Sequence, residues 1–123
     1  MPQVQVVFYM EDDGSVPMCE WLDELQSKHR AKCLKWIGIL RDFGHDLRRP
    51  ESDYLRDGIH ELRVKFQSLN YHMLYFFHEN QVVVLIHGLK KEKRVPPNEI
   101  DRAVELKKSF EADPKTHTFQ WEP

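Results

Sequence analysis

The sequence predicts an α+β domain, with helices on one face of a mostly antiparallel four-stranded sheet. Two amphipathic helical stretches follow a first run of β-branched and aromatic residues. Three strand-like segments, HELRVKF, YHMLYFFH and QVVVLIHGLK, then succeed one another across gaps of hairpin length. A proline-opened helical pattern comes last. The order is strand, helix, helix, strand, strand, strand, helix.

Each element has a local cause. Residues 3–10, QVQVVFYM, are rich in strand formers, and Glu11-Asp12-Asp13-Gly14 breaks the run. Ser15 is the expected N-cap of the first helix, with Pro17 in its first turn and Trp21, Leu22 and Leu25 as its stripe. The second helix should run from about Ser27 to Phe43, with Cys33, Leu34, Ile37, Leu40 and Phe43 at three- and four-residue spacing and Gly44 as C-cap. Residues 45–58 are polar and read as a connection. In the first strand of the meander Leu62, Val64 and Phe66 alternate with Glu61, Arg63 and Lys65. Tyr71, Met73 and Tyr75 of the central strand should meet the two N-terminal helices, leaving Leu74 and Phe76 on the other face. Pro96-Pro97 opens a last helix through about Ala112, stopped by Asp113-Pro114. The tail, 113–123, has no strong pattern and is expected either to dock or to fray.

Length and composition narrow the class. The 123 residues make one domain, 1–123, with 41% hydrophobic and 31% charged residues, as in globular rather than disordered chains. No apolar run approaches the roughly 20 residues needed to span a bilayer. The N-terminus lacks the basic and apolar regions of a signal peptide, so a cytoplasmic protein is expected. Cys19 and Cys33 read as small hydrophobes in a reducing compartment. Net charge is −2, but its distribution is uneven. Residues 1–30 hold six acids and two bases, whereas residues 60–94 hold six bases, three acids and four of the seven histidines. A local anion site on a mildly acidic protein follows.

Two-residue loops at Gln67-Ser68 and Glu79-Asn80 would set Arg63 opposite His72, His72 opposite His87, and Leu74 opposite Leu85. Arg63, His72 and His87 would then form a row across one sheet face, with Lys91 at the strand end. Such a row suits metal-free RNA cleavage. A base takes the 2′-hydroxyl proton, cations stabilise the phosphorane, and an acid protonates the leaving oxygen. His72 and His87 are the proton-transfer candidates, in either order, and Arg63 and Lys91 the phosphate candidates. Lys65, Lys90, Lys93 and Arg94 are candidate RNA contacts. Glu61 could act as a base but is expected to pair with a neighbouring cation. The sequence has no CxxC, no HExxH and no glycine-rich phosphate loop, so no metal or cofactor is expected.

Several pieces, taken together, resemble the RelE/ParE toxin superfamily, and most of all its HigB-type, phage-derived branch. They are Trp21-Leu22-x-x-Leu25, Leu55-x-x-Gly58-Ile59-His60-Glu61-Leu62-Arg63-Val64, Tyr71-His72-Met73-Leu74-Tyr75-Phe76, and His87-Gly88-Leu89-Lys90-Lys91 followed by Pro97-x-Glu99-Ile100-x-x-Ala103. The resemblance covers about residues 16 to 110. It implies a RelE-like domain, ribosome-dependent cleavage of mRNA, and neutralisation by a small antitoxin, often a helix-turn-helix DNA-binding protein. This chain departs from the pattern at His72, where the family often has Arg, and at Leu89, where many members have Phe. It also has no Tyr just after the basic knot. Two other functions stay open on the same fold, a ParE-like DNA gyrase inhibitor and a non-catalytic binding module.

Overall fold

A computed structural model describes residues 4–79, 82–90 and 94–122. The elements are β1 (Gln5–Tyr9), α1 (Pro17–Glu24), α2 (Ser27–Phe43), a 3₁₀ turn (Gly44–Asp46), β2 (Ser52–Arg56), β3 (Ile59–Phe66), β4 (Leu69–His78), β5 (Val82–Lys90), α3 (Pro97–Ala112) and β6 (Thr118–Gln120). They form an α+β fold whose sheet has six strands, not four, in the order β2-β3-β4-β5-β1-β6. Only the β1–β5 pairing is parallel among the described strands.

The two added strands come from segments that looked polar or unpatterned. β2 lies within the expected connection and pairs with β3 through a tight turn at Asp57 and Gly58, both at positive φ. Asp-Gly is the residue pair that such a type I′ hairpin turn favours. The tail docks as β6 against β1, and Trp121 stacks on Phe8 at 6.1 Å. In α1 the cap is Val16, with no side-chain cap bond. Ser15 bonds Asp13 instead, through both its N–H and its hydroxyl. α2 has the expected bounds, and Gly44 ends it at φ +51°.

Helices cover both faces of the sheet, which corrects the one-face expectation. α1 and α2 bring Met18, Leu22, Cys33, Ile37 and Leu40 onto Leu62, Val64, Tyr71, Met73 and Tyr75. Each of those five strand residues is at most 2% exposed, and their burial contributes on the order of 10 kcal/mol at about 1.5–3 kcal/mol each. α3 packs Ala103 and Phe110 onto Leu74, Phe76, Val84 and Ile86 on the opposite face. Cys19 and Cys33 are free thiols, and burial pushes Cys33 up to about 12. Among the described residues no helix is long and apolar enough to cross a membrane.

The β3–β4 register is the expected one. Gln67 and Ser68 form the two-residue loop, both at positive φ, and Arg63 lies opposite His72. The β4–β5 register is not. His78 pairs with Val82, and a bulge at Ile86 shifts the ladder again between Tyr75 and Leu74. His72 therefore faces Leu89, Leu74 faces His87, and Leu85 faces Tyr75. The bulge has a second effect. Without it His87 would point toward α1 and α2; with it His87 turns to the α3 side, where His72 also lies.

Candidate functional site

One end of the α3-side face is apolar, and the other carries Glu61, Arg63, Lys65 and His72. There the side chains form a chain of ion pairs. The His72 Nδ1 lies 2.7 Å from one oxygen of Glu61, and the Arg63 Nε donates to the other oxygen at 2.7 Å. The Arg63 Nη2 donates to Asp53 at 3.0 Å, and the Arg49 Nε also donates to Asp53, at 2.9 Å. The Arg63 Nη1 reaches the Pro50 carbonyl at 3.4 Å.

Glu61 and His72 are 3% and 2% exposed. Burial alone would push the Glu61 carboxyl up, but hydrogen bonds from His72 and Arg63 outweigh it and hold the group below the usual carboxylate range. An ionised carboxylate only accepts, so His72 donates from Nδ1. In the neutral ring Nε2 then carries the lone pair. That atom is shut off from solvent and, among the described residues, has no hydrogen-bond partner. A buried polar atom left unsatisfied costs about 1–3 kcal/mol.

Beside this pair lies a cleft of about 710 Å³, open where β3 runs on past its last β2 partner at Leu62. Lys32 and Trp36 of α2 form one wall, Pro50 and Glu51 another, and Arg63, Lys65, Asn70 and His72 line the rest. Lys32 sits 5.8 Å over the Phe66 ring. Among the described residues neither Lys32 nor Lys65 has a carboxylate within ion-pair distance. Arg63 is already engaged by two carboxylates, so these lysines are the cleft's uncompensated cations.

The remaining candidates are placed differently. His87 is partly buried, and its Nε2 lies 2.8 Å from Glu99 of α3. Burial pushes its pKa down; Glu99 opposes this and Arg102 adds to it. His87 is thus a diagonal neighbour of His72 on the same face, with its outer nitrogen committed to α3. Lys90 is exposed but pairs with Tyr71, which puts it toward the other face. Arg94 is exposed. Lys91 and Lys93 lie outside the described residues. Lys32, Trp36 and Asp53 were not read from the sequence as site residues. Asp53 had a signal, since the Asp57-Gly58 turn marks a strand on its N-terminal side.

Among the described residues no group of three or more His, Cys, Asp or Glu side chains is placed to bind an ion. What the site offers is an oriented imidazole, a buried carboxylate behind it, and free cations beside it.

The family model described as Phage derived protein Gp49-like (DUF891) matches residues 20–108. No curated protein matches the chain. The matched span runs from α1 into α3 and includes Glu61, Arg63, His72 and the whole cleft, and the chain therefore belongs to the Gp49-like phage-derived protein family, a family of RelE/ParE-like toxins.

Proposed function

We propose that this chain is the toxin of a type II toxin–antitoxin pair and cleaves mRNA on the ribosome as a metal-independent endoribonuclease, in the manner of HigB-type toxins. The observation that carries the reading is the unpartnered Nε2 of His72 beside a cleft with two uncompensated lysines. Glu61 holds the ring in the tautomer whose free nitrogen accepts a proton. A 2′-hydroxyl brought to Nε2 loses its proton there and attacks the adjacent phosphorus; the P–O5′ bond breaks, leaving a 2′,3′-cyclic phosphate and a 5′-oxygen that takes up a proton. Lys32 and Lys65 stabilise the charge that builds on the non-bridging oxygens. Nε2 is covered in the free protein, so RNA must displace the groups above it before reaction. A toxin kept closed until it meets its ribosomal substrate would behave this way.

In this reading Arg63 takes a smaller part than the phosphate-binding role expected of it. Its guanidinium supports Glu61 and Asp53 and presents only its outer edge to a phosphate. His87 stabilises the α3 contact, and the leaving-group proton comes from elsewhere, including the ribosome or solvent. A cognate antitoxin, of the helix-turn-helix DNA-binding kind, neutralises the toxin by covering the cleft.

The test is expression in a bacterium, followed by mapping of mRNA 5′ ends. New ends within translated codons, absent with His72→Ala, support the reading. Intact mRNA accompanied by gyrase-linked DNA breaks would replace it with gyrase inhibition.

A further inference from the structure

A second pocket, of about 430 Å³, lies at the β2 end of the sheet on the α2 side, next to the cleft. Its floor and walls are aromatic rings. His60 stacks on Tyr75 with centroids 5.1 Å apart and planes 19° apart, and His45 stacks on Phe77 at 3.7 Å and 19°. Tyr54 stands edge-on to His60 at 5.1 Å. Tyr54 is 56% exposed, one of the few large hydrophobics so presented among the described residues.

Charge at the rim is cationic. Arg48 and Arg49 both line the pocket. Arg49 is neutralised by Asp53, whereas the Arg48 side chain makes no ion pair among the described residues. The same Asp53 bonds Arg63 of the cleft. The two depressions therefore share a wall, with Arg49 on one side and Pro50 and Glu51 on the other.

We propose that this pocket is a second nucleic-acid subsite, which takes an unpaired nucleobase flanking the cleaved bond and holds its phosphate with Arg48. The inference deepens the RNA reading of the neighbouring cleft and rests on it. A half-exposed tyrosine ring among other π-faces gives a flat ligand somewhere to stack, and stacking accepts any base. A free guanidinium at the rim supplies the bidentate partner that a phosphate wants. An apolar peptide side chain would use the rings but not the arginine. A free anion would use the arginine but not the rings. A nucleotide uses both.

The experiment titrates the full chain with a fluorescently labelled five-nucleotide single-stranded RNA over a range of salt concentrations. Tyr54→Leu should weaken binding about 5–100-fold with an unchanged salt slope. Tyr54→Phe keeps the ring and should bind as wild type, although it loses the bond that the Gly58 N–H donates to the Tyr54 hydroxyl at 2.9 Å. Arg48→Ala should lower the salt slope by about 0.7, the value for one phosphate contact on a single strand. Both positions accept substitution without touching the core, and thermal unfolding of each of the three variants checks this. Wild-type affinity in both Tyr54→Leu and Arg48→Ala would overturn the subsite. His72→Ala separates the two proposals: it should abolish cleavage, while oligonucleotide binding in that background should still depend on Tyr54 and Arg48. If the wild type cleaves nothing but its binding still depends on Tyr54, the cleavage reading fails and the subsite stands.

Discussion

Replacing Glu61 by Gln changes one oxygen for an NH2 group and almost nothing else. Two donors, the His72 Nδ1 and the Arg63 Nε, converge on this carboxylate at 2.7 Å each. Glutamine keeps one acceptor, so one donor must now face an NH2. Hydrogen bonds to charged groups are worth about 1.5–3 kcal/mol, and outright removal of one partner from a buried pair costs about 3–5 kcal/mol. The substitution should therefore destabilise the domain by about 2–3 kcal/mol, or roughly 10 °C in Tm. The second effect is chemical. If the NH2 faces His72, the ring relieves the conflict by moving its proton to Nε2, so that Nδ1 accepts. The atom that should take the 2′-hydroxyl proton is then already occupied. Cleavage of ribosome-bound mRNA, assayed well below both melting temperatures, should fall about 10²–10⁴-fold. The acid-side limb of its pH profile should move as well, which a purely structural loss would not cause. A variant with the Tm loss but wild-type cleavage and an unchanged pH profile would refute the base role of His72.

Lys32→Ala and Lys65→Ala should each weaken RNA binding, lower the salt slope by about 0.7, and change stability by less than about 0.5 kcal/mol, as read by filter binding and denaturant melts. Gly88→Ala should destabilise by about 1–3 kcal/mol in urea unfolding, because a Cβ there would meet the Trp21 ring at 2.4 Å. Stability should fall as pH drops below about 6.5, the ordinary His value. Burial depresses both His60 and His87, so the unfolded chain takes up protons that the folded one refuses. A further loss should follow at lower pH, as Glu61, whose pKa is also depressed, is finally protonated. Denaturation midpoints measured from pH 8 down to about pH 2 test both steps, and a flat profile would contradict them.

What the sequence could show depended on how local each cause was. The α2 helix and the β3–β4 hairpin are written in consecutive residues, through apolar spacing and a two-residue turn, and both lie where expected. The β4–β5 register depends on a bulge at Ile86, and the alternation of QVVVLIHGLK carries no mark of it. The pairing of His78 with Val82 and that bulge each shift the ladder by one residue, and together they move His87 from opposite His72 to opposite Leu74. The β2 strand was legible in Asp57-Gly58 but was masked by its charged composition. The three residues of β6 pair with β1 across more than a hundred positions, and no short-range pattern encodes that. Periodicity also showed that α3 has an apolar side, without saying which face of the sheet it would meet. Within the site, the pairing of Glu61 with a cation was foreseen. That Arg63 would be shared between Glu61 and Asp53 depended on β2 being a strand at all.

The position of β1 has a consequence for how this chain is made. β1 leaves the ribosome well before its partners, which are β5, some 75 residues later, and β6, more than a hundred residues later. Until both arrive, Val6, Val7, Phe8 and Tyr9 present an apolar strand with open hydrogen-bonding groups, the kind of template on which other chains pair. Contacts so distant in sequence close slowly. The sheet is thus sealed only when β6 arrives, and a nascent chain cut short before Pro114 would lack the strand that caps β1.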